Sequence, residues 1–98
     1  MTAPTVDPIV QQLRHEISDL DRSIVAAVNK RLQLVARLKR YKDEHGIPFV
    51  DLDREQWMLR YLERANGGPL SAAGLAELYV ELLDLTKREV TRNGDSAA

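Results

Sequence analysis

Apolar residues recur along the first half of the chain at alternating spacings of three and four: Val10, Leu13, Ile17, Leu20, Ile24, Ala27, then Leu34, Leu38 and Tyr41. Arg31 occupies the remaining place in that series. The pattern is a heptad seam on one helix face. Neither glycine nor proline falls between Pro8 and Gly46, so it predicts a single helix of about 37 residues. Asp7 suits its N-cap, Pro8 its first turn and Gly46 its stop.

A second helix is predicted to start near Asp51 or Asp53, where Asp53 and Gln56 have the spacing of a capping box. It carries Trp57, Met58, Tyr61 and Leu62 and ends at Gly67-Gly68-Pro69. A third begins at Ser71, a good N-cap, and runs to about Arg92, with Leu75, Leu78, Tyr79, Leu82, Leu83, Thr86 and Val90 along one side. Gly74 lies inside that helix. No strand pattern or internal repeat interrupts the series. The expectation is an all-α chain of three helices in one domain, residues 8–92, between a flexible tail at 1–7 and a disordered tail at 93–98.

The first helix is too long for its own partners. At about 1.5 Å per residue it extends roughly 55 Å, whereas a compact domain of this size has a radius of gyration of about 13 Å. Two shorter helices are not expected to cover such a seam, and a second copy of the chain is the simplest cover. This predicts a homodimer in which the long helices run against each other. A plain antiparallel coiled coil without a site satisfies the same argument.

Composition removes several other classes of function. The 98 residues have a net charge of −1, which offers no field for nucleic acid or an anionic membrane surface. There is no cysteine, and His15 and His45 are far apart, so neither thiolate chemistry nor a metal site is expected. No segment has the apolar length of a membrane span, and Met1–Val6 has no leader pattern, which makes the cytoplasm the expected location.

The cations are more informative. A guanidinium in an apolar seam is expensive unless paired, and no acid shares the seam near Arg31. Lys42 lies eleven residues on, in nearly the same helical direction. The two are about 16 Å apart along the axis, so their long side chains could bracket one small dianion. Arg14 also flanks the seam, but about 25 Å from Arg31, a distance that assigns it to the second site of a dimer. Each of these cations could instead be a snorkelling surface residue, a reading that suits Arg31 least. In Asp51-Leu52-Asp53-Arg54-Glu55 the acids suit a helix N-terminus, but Arg54 opposes the helix dipole and makes better sense facing an anion.

Taken together, Leu13-Arg14 with Ile17, Leu20 and Asp21, then Lys30-Arg31, Lys42 and Asp51-x-Asp53-Arg54-Glu55 resemble the all-helical (type II) chorismate mutases, with matching spacing from Arg14 through Glu55. The resemblance covers roughly Pro8 to Val90. It implies an intertwined dimer of three-helix chains with two shared sites, and the rearrangement of chorismate to prephenate without cofactor or metal. It further implies that Arg14 of the partner subunit and Arg31 hold the two substrate carboxylates, and that Lys42 binds a carboxylate and the ether oxygen. Arg54 would sit on the carboxylate side, Asp51 and Glu55 would address the ring hydroxyl, and Thr86 would take the place of a small polar residue.

Val90 departs from the pattern. It stands where relatives usually carry Gln or Glu, a second hydrogen-bond partner for the ether oxygen, and valine has no donor. The departure admits a slow mutase, a partner enzyme of the same pathway that completes the site, or a different substrate. The alternatives are a 4-amino-4-deoxychorismate mutase, then an isochorismate-pyruvate lyase, then a non-catalytic helical dimer or regulatory module.

Overall fold

The computed structural model describes residues 7–97, with side chains as far as Arg92. Three helices follow one another: α1 (Pro8–Glu44), α2 (Leu52–Ala65) and α3 (Ala72–Ala97). Among the described residues there is no strand. Of the expected tails, residues 1–6 lie outside the described residues, as do Ala98 and the side chains of 93–97.

The unbroken stretch between Pro8 and Gly46 forms one helix of 37 residues. Asp7 caps its start, its Oδ1 accepting the backbone N–H groups of Ile9 (2.9 Å) and Val10 (3.2 Å). Gly46 ends it in a left-handed conformation, φ +66°. The N–H of Ile47 then reaches back to the carbonyl of Lys42 (2.8 Å), the closing bond of a Schellman turn. Contacts divide the chain into two compact units, with the boundary inside α1 between Gln33 and Leu34.

In the first unit the seam is bare. Leu13, Ile17, Leu20 and Ile24 are exposed, and α1 contains no buried residue. In the second unit α2 packs against α3. Asp51, rather than Asp53, is the N-cap of α2: its Oδ1 accepts the N–H of Arg54 at 3.0 Å. Both aspartates stand close to the helix start, and the chain uses the one whose backbone is extended, φ −132°. At the far end the N–H of the C-cap Asn66 bonds to the carbonyl of Leu62.

Ser71 caps α3 through the N–H of Gly74, 3.0 Å from its Oγ. A Cβ at position 74 would lie 2.9 Å from Leu70 Cδ1 and 3.1 Å from Ser71 Oγ, so glycine there leaves room for the capping loop. The helix runs five residues past Arg92, where the sequence pattern places its end. No proline follows Arg92 to force a stop. A lone Gly94 in a helix costs about 1 kcal/mol relative to alanine. Leu75, Tyr79, Thr86 and Val90 form the buried stripe of α3.

Candidate active site

The cations of α1 differ in setting. Arg14 is exposed, whereas Arg31 and Lys42 are partly buried, the first in the first unit and the second in the other. Lys42 is held near the end of α1, its Nζ donating to the carbonyl of Phe49 at 3.4 Å. Neighbouring Lys39 takes Asp43 (2.8 Å) and lies over the Phe49 ring at 5.8 Å. Asp43 is thus engaged by Lys39.

The start of α2 gathers the second group. The Asp51 cap occupies one carboxylate oxygen and leaves the other open. The Arg54 guanidinium stacks over Trp57, 4.8 Å from the ring centroid, and Trp57 in turn stacks on Tyr61 at 5.4 Å. Stacking restrains the guanidinium and leaves its in-plane donors available for an anion. Asp51, Asp53, Arg54, Gln56, Trp57 and Arg60 line an open groove of about 600 Å³.

Glu55 is engaged from α3. Its Oε1 lies 3.0 Å from Lys87 Nζ, an ion pair across the α2–α3 packing. One residue before Lys87, Thr86 is only 4% exposed, and its hydroxyl donates to the carbonyl of Leu82 at 2.6 Å. Val90 follows one turn later at 3% exposure. Its aliphatic side chain completes an apolar stripe and offers no hydrogen bond.

The structure therefore joins Glu55 to Lys87, Asp51 to the backbone of Arg54, and Arg54 to Trp57. Lys87 and Trp57 are not among the site residues expected from sequence. Lys87 has one available signal, its place beside Thr86 on the edge of the α3 stripe.

Residues 13–90 match the profile of the family described as chorismate mutase type II. This chain belongs to that family. The matched span contains every candidate residue from Arg14 to Val90. The chorismate mutase of Thermus thermophilus superposes in two forms. Form I gives a TM-score of 0.77 at 32% identity, covering 79% of this chain and 96% of that one. Form II gives 0.80 at 31% identity, covering 85% and 94%. Two curated proteins are similar over shorter stretches. The T-protein of Haemophilus influenzae is 39% identical over 61 residues, 60% of this chain and 16% of that protein. The 4-amino-4-deoxychorismate mutase of Streptomyces venezuelae is 38% identical over 45 residues, 46% of this chain and 44% of that protein. The matches thus span less than half the length of either curated relative. The three helices match a chorismate mutase fold.

Proposed function

We propose that this protein is a chorismate mutase, converting chorismate to prephenate in sites shared between two copies of the chain. The observation that carries the reading is the family match over residues 13–90, which includes the whole proposed set of cations. The bare seam of α1 supports the dimer: apolar side chains on an otherwise charged helix leave water when a second copy covers them.

The reaction is an intramolecular pericyclic rearrangement. It breaks the ether C–O bond as a C–C bond forms, and it needs no nucleophile and no cofactor. Two contributions from the protein suffice. Arg31, together with Arg14 of the partner subunit, grips the two carboxylates and folds the enolpyruvyl arm over the ring, removing the entropy cost of reaching that conformation. Lys42 faces the ether oxygen and stabilises the negative charge that grows there as the bond breaks. Arg54 adds a further cation on the carboxylate side, Asp51 and Glu55 accept from the ring hydroxyl, and Thr86 lines the helix-three wall. Val90 has no donor to offer the ether oxygen, which leaves Lys42 as the donor there. A partner enzyme of the same pathway that supplies a second donor is consistent with this gap. A cytoplasmic location belongs to the same reading, and among the described residues no helix is long and apolar enough to cross a membrane.

A second reading, a 4-amino-4-deoxychorismate mutase, is favoured by the Streptomyces relative of that name and by the two acids near the ring position. The test is incubation of the purified protein with chorismate, isochorismate and 4-amino-4-deoxychorismate separately, followed by product identification. Prephenate from chorismate supports the reading. Pyruvate release from isochorismate, turnover of the amino compound alone, or no turnover of any of the three contradicts it.

A further inference from the structure

The Lys87–Glu55 ion pair has a consequence for which substrate the site accepts. Pairs such as Lys39–Asp43 and Arg92–Glu89 join neighbours on one helix. Such local surface pairs contribute little. Lys87 and Glu55 come instead from α3 and α2, and the carboxylate side chain is only 22% exposed. Packing between the two helices therefore sets their geometry. Lys87 also lies between the buried Thr86 and Val90, so its backbone is fixed by the most enclosed part of α3.

We propose that Lys87 is a specificity-determining residue, one that holds Glu55 as a half-occupied acceptor suited to a ring hydroxyl and unsuited to a ring ammonium. The inference rests on the mutase reading and deepens it. Lys87 Nζ takes Oε1 of Glu55 and leaves Oε2 with its lone pairs. A neutral hydroxyl donates one proton to Oε2 without disturbing the pair. An ammonium at the same place sets a second positive charge beside Lys87 on a single carboxylate. Either the like charges repel or Lys87 must give up its partner. The same cation cancels the charge of Glu55, so that a dianionic substrate does not meet a bare carboxylate. Selection against the ammonium is thus built from repulsion, as well as from attraction of the hydroxyl.

The experiment compares kcat/KM for chorismate and for 4-amino-4-deoxychorismate in the wild-type protein, Lys87→Met, Lys87→Gln and Lys87→Arg. Thermal melts identify the variants that fold, and Lys87→Gln serves if Lys87→Met does not. Removal of the cation is expected to lower the chorismate preference by about tenfold or more, chiefly through a lower KM for the amino compound. Lys87→Arg is expected to keep most of the preference, because it preserves the charge. A merely structural role lowers both rates together, and a preference that stays within about twofold of wild type in both neutral variants overturns the proposal. Turnover of neither compound by the wild-type protein is a different failure: it overturns the mutase reading, and the inference with it.

Discussion

The seam of α1 and the stripe of α3 have the same helical periodicity and opposite fates within one chain. Leu13, Ile17, Leu20 and Ile24 are each more than half exposed, whereas Leu75, Tyr79 and Val90 are each less than a tenth exposed. The difference is one of cover. The stripe of α3 is closed within the chain, and the seam is not. Periodicity tells which face of a helix is apolar; only packing tells what lies against it. The same division separates the candidate residues, because Arg14 and Arg31 belong to the bare helix while Glu55, Thr86 and Lys87 belong to the packed pair.

The largest expected effect breaks the seam. Leu20→Lys combined with Ile24→Lys sets charges where the account buries apolar side chains, a loss of about 3 kcal/mol or more per copy. Sedimentation velocity is expected to show a dimer in the wild-type protein and a monomer, or an unfolded chain, in the double variant. A wild-type monomer would erase the contrast between the two helices.

Next is Arg31→Ala, which is expected to lower kcat/KM by roughly 10²- to 10³-fold. Its thermal midpoint is expected to fall far less than its rate, since the side chain is only partly buried and its main role is at the substrate. Equal losses of rate and stability would make Arg31 a structural residue.

Val90→Gln sharpens the account of α3. The new amide restores a donor near the ether oxygen and is expected to raise kcat about tenfold. It also places a polar group where valine is 3% exposed, at a stability cost of about 1–2 kcal/mol measured by denaturant titration. A fall in both quantities would mean that position 90 is purely core. The smallest effect is that of Asp51→Ala, expected to destabilise by about 1 kcal/mol through the lost cap, with Asp51→Asn nearly neutral. Asp51→Ala is also expected to lower kcat/KM several-fold through the lost acceptor for the ring hydroxyl, and an unchanged kcat/KM would confine Asp51 to the cap.

Much of this architecture is legible in the residue order. Asp7, Pro8 and Gly46 bound α1 because capping and left-handed turns are local chemistry, decided within a few residues. The same holds for Ser71 at the start of α3. The choice between Asp51 and Asp53 is harder to read, since both acids stand at the start of one helix and backbone geometry selects between them. The end of α3 lies beyond its expected place because a lone Gly94 weakens a helix without stopping it. The Lys87–Glu55 pair is not legible at all: the two residues are 32 positions apart, and only the packing of α2 on α3 brings them together.

Sharing of sites between two copies is the central claim, and subunit exchange tests it most directly. Arg14→Ala and Arg31→Ala proteins, each inactive alone, are mixed and allowed to exchange. If Arg14 acts across the dimer, each mixed dimer holds one site with both arginines intact, and the mixture recovers about a quarter of wild-type activity. If Arg14 and Arg31 serve one site from the same chain, no dimer in the mixture has an intact site. Activity then stays at the level of the separate variants, which would contradict the account.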